Sequence, residues 1–241
     1  PIFRSESIGF VRSVLGQSEE PTWQKTQDGE VSKVIIDLQP EMPKSHQPHI
    51  NYRIIDDMLG HGGAKAKYGY NIAAIRLLKR LAEENRLATP EEQEILSRYV
   101  GWGGQPQAFD ENNSQWAKEY AELKELLTDE EYASARASTL NAHYTSPTVI
   151  KAMYACLENM GFKTGNILEP ACGIGNFFGL IPDSMKNSKL YGVELDSITG
   201  RVAKQLYQQA NIAVQGFEKT NLPDSFFDLA IGNVPFGSYG V

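Results

Sequence analysis

Three clusters of residues carry the chemistry available to this sequence: the loop Glu169-Pro170-Ala171-Cys172-Gly173-Ile174-Gly175, the acids of Glu194-Leu195-Asp196, and the tetrad Asn233-Val234-Pro235-Phe236. Glycine at 173 and 175 permits positive φ and close approach of backbone to a ligand. A dinucleotide fingerprint needs a further glycine where Phe178 stands, and its loop does not open with an acid. The loop is therefore a poor pyrophosphate cradle, and its acid suits a cationic amino-acid end. Taken alone, it also reads as a plain strand-to-helix turn.

Glu194 falls at the tip of the next expected strand, roughly twenty residues beyond the glycines, where a carboxylate accepts hydrogen bonds from both ribose hydroxyls. The other reading of this acidic pair is a solvated cap for a helix starting near Ser197. Phe217 and Glu218 follow a further short strand, where a ring and an acid would flank an adenine, with a surface loop as the alternative. Asn233 and Val234 point to a more specific reaction. An exocyclic amino nitrogen is a poor nucleophile because its lone pair is delocalised, and alkylation develops positive charge on it. The Asn233 side-chain carbonyl and the Val234 backbone carbonyl would accept its two hydrogens and stabilise that charge. Phe236 would stack on a ring turned out of its duplex. No strong general base is required. A strand-end turn closed by Pro235 is the simpler reading of the same residues.

The elements that must position these groups are legible as alternating types. Short apolar runs at Asn166–Leu168, Lys189–Val193, Ile212–Gln215 and Phe227–Ile231 read as strands. Ahead of them the pattern is helical: Ile72, Ile75, Leu78 and Leu81 recur at helix spacing, and Thr89-Pro90-Glu91-Glu92 supplies a cap with proline in the first turn. A helix from Glu91 to Tyr99 ends at Gly101, and the Gly101-Trp102-Gly103-Gly104 turn reads more simply as a helix stop with Trp102 buried, with a binding loop for a base or partner as the alternative. Further helices fit Ser114–Leu127, Thr128–Ala137 and Pro147–Met160. Residues 1–50 carry one β-like run, Val31–Leu38, in an irregular arm or small hairpin. The expected layout is thus 1–50 arm, 51–140 helical domain, 141–241 first half of an α/β domain.

Composition sets outer limits. A chain of 241 residues with formal net charge −7 can bury a substantial core but carries no large basic surface. Lys65, Lys67, Arg76, Lys79 and Arg80 form a local basic stretch that reads most simply as a solvated helix face. Cys156 and Cys172 lack metal-type spacing, which favours a reduced, cytoplasmic setting, and the four His are scattered, so no metal site is expected. No apolar run is long enough to span a bilayer. The start at Pro1 and the end at Val241 read as those of a piece of a longer protein, with strands still to come.

Together the motifs resemble the S-adenosylmethionine-dependent amino-group methyltransferases of DNA. Their reaction tetrad is Asn or Asp, Pro, Pro, aromatic, and their cofactor loop is an acid, Pro and Gly-x-Gly. The resemblance implies that Glu169, Pro170, Ala171, Gly173, Gly175, Asn176 and Phe177 line the methionine side. It assigns Glu194, Leu195, Asp196, Phe217 and Glu218 to the ribose and adenine side, and Asn233 to Phe236 to the target base. The segment Ala142-His143-Tyr144-Thr145-Ser146-Pro147 is similar to the one that closes over the cofactor in adenine-specific members, which adds Tyr144 and Thr145. The order of motifs is similar to the subclass containing type I restriction methylation subunits. Val234 stands where the family has its first tetrad proline, and Ser146 where a proline is usual, one step before Pro147.

A narrower resemblance is to the methylase module of large helicase and methylase proteins of bacterial mobile elements, through NYRI at Asn51, YVGWGG at Tyr99, STLNAHYTSP at Ser138 and GNVPFG at Gly232. It implies a Rossmann-like methyltransferase sheet, incomplete at the C-terminus and preceded by a helical domain. It also implies methylation of adenine in DNA, with DNA and downstream domains of the same polypeptide as partners, the fragment alone being inactive. Methylation of RNA guanine or protein glutamine, and a non-catalytic module that binds cofactor or DNA for a helicase, remain the alternatives.

Overall fold

The computed structural model describes residues 48–55, 60–139 and 144–234. The expected arm at 1–50, with its Val31–Leu38 run, therefore lies almost wholly outside the described residues. So do Ala142 and His143 of the segment before the first strand, and Pro235 and Phe236 of the tetrad.

Among the described residues the helices come first. Helix α1 (Ala64–Glu83) buries Tyr68, Ile72, Ile75, Leu78 and Leu81, so the apolar stripe expected from Ile72 begins one turn earlier than its spacing suggests. Helix α2 (Pro90–Leu96) opens with a capping box between Thr89 and Glu92 and proline in its first turn. It ends at Leu96 rather than at Tyr99, and Tyr99 instead lies fully buried in the turn beyond. Helices α3 (Ala117–Leu126) and α4 (Asp129–Ser138) follow, α4 with a second capping box from Thr128 and Glu131. Trp102 is 1% exposed, buried as expected, but it lies six residues past the end of the helix and does not stop it. It packs with Tyr68 and edge-on to Phe109, and Phe109 meets Tyr132. Such ring pairs add about 0.5–1.5 kcal/mol each beyond burial.

Helix α5 (Pro147–Asn159) leads into a four-stranded parallel sheet: β1 (Asn166–Glu169), β2 (Lys189–Glu194), β3 (Asn211–Val214) and β4 (Leu229–Ala230). The short α6 (Asn176–Gly179) joins β1 to β2, and α7 (Ser197–Leu206) joins β2 to β3. Strand order is β3-β2-β1-β4, an α/β arrangement compatible with a Rossmann-like fold. β4 is shorter than the expected Phe227–Ile231 because only Leu229 and Ala230 pair, with Ile167 and Leu168 of β1.

One hydrophobic cluster runs from α1 and Trp102 through Ile150 and Tyr154 to Ile167, Leu190, Val202 and Ile212. On the other face, Leu168, Tyr191, Val193 and Ala213 are covered by Phe217, Leu222, Phe226 and Phe227. The helical layer is pinned to α7 by polar contacts as well. Gln93 donates to the carbonyls of Gln205 and Leu206 at 2.9 and 3.0 Å. Glu131 of α4 bridges Lys79 of α1 at 2.9 Å and Arg201 of α7. No helix of the described residues is long and apolar enough to cross a membrane.

Candidate functional site

In an open parallel sheet, ligands sit outside the carboxyl ends of the strands where strand order reverses. Here that point lies between β1 and β4, and the sequence places Glu169 on one side and Gly232-Asn233 on the other. They are held close: Ile231 N–H donates to Leu168 O at 2.9 Å, and a Cβ on Gly232 would sit 3.4 Å from Glu169 Cγ. Glu169 is 3% exposed, and its Oε2 has no hydrogen-bond partner among the described residues. Burial, reinforced by the nearby Glu194 charge, pushes its carboxyl well above the usual range.

The glycine loop is folded tightly between the strand ends. Cys172 N–H donates to Val193 O at 2.9 Å, tying the loop to β2 three residues past the end of β1. Gly173 and Gly175 take φ of 55° and 86°, the left-handed region where glycine carries no penalty. At Gly175 a Cβ would lie 2.5 Å from Tyr207 Cε2. Gly173, half-buried, is the loop glycine facing Tyr144: a Cβ there would lie 2.6 Å from Tyr144 Cε1. Pro170, Ala171, Asn176 and Thr145 are half-buried around this loop. Phe177 is different. It is buried in the core with its ring against Tyr154, and its carbonyl accepts the Tyr154 hydroxyl at 2.9 Å.

At the tip of β2, both Glu194 oxygens are engaged by backbone. Oε2 accepts Gly173 N–H and Oε1 accepts Asp196 N–H, each at 2.8 Å. Each carboxylate oxygen can accept twice, so acceptor capacity remains on both. Burial raises the Glu194 carboxyl from its ordinary value, opposed by those backbone bonds. The helix-capping role falls to Asp196, not Glu194: Asp196 Oδ1 accepts Thr199 N–H and the Thr199 hydroxyl at 2.8 and 2.7 Å, starting α7. Its Oδ2 accepts the Ser134 hydroxyl at 2.7 Å. Leu195 between them is 74% exposed, an apolar side chain at the rim.

The remaining predicted residues lie around this rim. Phe217 is half-buried in the second apolar cluster, while Glu218 is exposed and folds its carboxylate back over Gly216. Asn233 and Val234 are exposed just beyond β4. Sequence reasoning missed Ser134, which has no signal of its own. It also missed Asn71, whose signal was present: a polar residue on the buried stripe of α1, 0% exposed. A cavity of about 710 Å³ opens at the opposite end of the sheet, lined by Arg53, Lys186, Lys189 and Asn211 at the starts of β2 and β3, away from these groups.

No family model matches the chain, and no solved structure matches it significantly. The chain is similar to the Defense against restriction protein B of Escherichia phage P1, 25% identical over 195 residues, covering 80% of this chain and 7% of that protein. It is also similar to a Type II methyltransferase of Paramecium bursaria Chlorella virus XZ-6E, 39% identical over 80 residues, 33% of this chain and 21% of that protein. The chain thus spans a small part of the curated relatives it matches. The second similarity, over its 80 residues, supports a relation to methyltransferases.

Proposed function

We propose that this chain is the cofactor-binding half of an S-adenosylmethionine-dependent methyltransferase that modifies the exocyclic amino group of adenine in DNA. The observation that carries the reading is the Glu169 carboxylate, buried at the strand-order reversal with an unpartnered oxygen. A buried acid without a partner costs about 1–3 kcal/mol. A cationic ligand group relieves that cost, and the ammonium of an amino-acid moiety has the right charge and donors. Glu194 holds the loop and offers its free lone pairs to ribose hydroxyls. Leu195 presents an apolar surface to the adenine. Bound there, S-adenosylmethionine supplies an electrophilic methyl group.

Asn233 acts at the other side of the crevice. Its side-chain carbonyl, with the Val234 backbone carbonyl, accepts the hydrogens of the target amine and steadies the positive charge that grows on nitrogen during transfer. By the family resemblance, Phe236, which lies outside the described residues, is the residue assigned to stack on the base. The names of the two relatives, one of defence against restriction and one of methyl transfer, support DNA as substrate. Further strands and domains of a longer polypeptide are the partners this reading requires for turnover.

Calorimetric titration of the chain with S-adenosylmethionine tests the proposal, with Glu169→Gln as comparison. Saturable binding that weakens at least about ten-fold in the variant is expected from loss of a charge-assisted contact. A folded chain that takes up no cofactor, or binds it equally well without the Glu169 charge, overturns the reading.

A further inference from the structure

Two chains of contact start in the helical layer and converge on Gly173. The first begins at Asn71 of α1. Its Nδ2 donates to Gly101 O at 2.5 Å, and its Oδ1 accepts Val100 N–H at 2.9 Å, so one buried amide pins the turn after Tyr99 from both sides. Gly101, at φ 65°, lacks the Cβ that would lie 3.2 Å from the Tyr144 hydroxyl. The Tyr144 ring thus rests on the turn at one end and over Gly173 at the other. The second chain begins at Ser134 of α4. Its hydroxyl donates to Asp196 Oδ2, Asp196 N–H donates to Glu194 Oε1, and Glu194 Oε2 receives Gly173 N–H.

We infer that the helical layer sets the position of the glycine loop, with Ser134 as a positioning residue acting through Asp196 and Glu194, and the Gly101 turn acting through Tyr144. What the loop is positioned for rests on the cofactor reading above. Asp196 needs no serine to cap α7, since Oδ1 alone does that. Ser134 instead restrains the second oxygen, tying to α4 the residue whose backbone N–H anchors Glu194. Without it, α7 stays capped through Oδ1, but Asp196 loses its tie to α4 and its backbone N–H holds Glu194 less firmly.

The test combines residue-resolved amide hydrogen exchange with cofactor titration on the full chain, comparing wild type, Ser134→Ala and Ser134→Thr. Alanine favours helix, so the first variant keeps α4. Expected are faster exchange at the Gly173 and Asp196 amides in Ser134→Ala, S-adenosylmethionine binding weaker by roughly ten-fold, and recovery of both in Ser134→Thr. Unchanged exchange at Gly173 in Ser134→Ala overturns the inference whether or not the cofactor binds. A wild type that takes up no cofactor, combined with faster Gly173 exchange in Ser134→Ala, sinks the cofactor reading and upholds the positioning.

Discussion

Gly173 N–H donates to Glu194 Oε2 at 2.8 Å, so the acid at the tip of β2 braces the loop that follows β1 before any ligand arrives. A glycine loop held only by its own turns would be reordered on binding. Here a buried carboxylate ties it to the neighbouring strand and to the α7 cap, which lowers the ordering cost of association.

That brace makes Glu194 sensitive to isosteric change. Glu194→Gln keeps the shape but leaves one carbonyl oxygen where two were accepting, so either Gly173 or Asp196 loses its acceptor. Chemical denaturation is expected to show a loss of about 1–3 kcal/mol. Stability equal to wild type would mean that the two amides find other partners.

The raised carboxyls predict a direction for pH. Glu169 and Glu194 both bind protons more tightly folded than unfolded, where the ordinary value is 4.5. Between that value and their folded values the native state holds more protons, so their contribution to stability is present below pH 4.5 and falls as pH rises. Ligand-free Glu169→Gln should therefore be more thermostable than wild type at neutral pH and show a flatter decline. A cationic ligand prefers the ionised acid, so binding should release a proton, measurable as a dependence of calorimetric heat on buffer ionisation enthalpy, and absent in Glu169→Gln.

Glycines of similar φ should differ in cost according to their surroundings. Gly104 has φ 71° and open space around the missing Cβ, so Gly104→Ala is expected to lose only about 1–2 kcal/mol from the left-handed backbone. Gly175→Ala adds a clash with the buried Tyr207 ring and should be clearly more destabilising in the same denaturation series. Equal losses would show that Tyr207 moves freely.

Asn233 is exposed beyond β4. In a methylation assay on unmethylated DNA with a polypeptide competent for turnover, Asn233→Ala is expected to lower methyl transfer by about 100-fold or more, while cofactor affinity measured by titration is unchanged. Undiminished transfer would remove Asn233 from the mechanism.

Much of the fold was legible locally. Apolar runs at Ile167, Leu190, Ile212 and Leu229 appeared as strands, and the Thr89 and Thr128 caps mark helix starts, because these signals depend on neighbours in sequence. β4 was read too long, since its extent depends on how far β1 can pair with it. α2 also ends earlier than its pattern suggests, because the chain turns at Val100 and Gly101, just after Tyr99, where Asn71 from another helix holds both residues.

Residue types and spacing determined which groups can do chemistry here: an acid before glycines, acids after the second strand, and an amide at the end of the fourth. Only the tertiary structure decided how they divide the work. It left Glu169 unpartnered, made Glu194 the loop's brace and Asp196 the helix cap, and drew Ser134 and Asn71 from the helical layer into support. Those roles depend on which hydrogen-bond donors reach a given oxygen within about 3 Å, and that distance is set by how helices and strands far apart in sequence pack together.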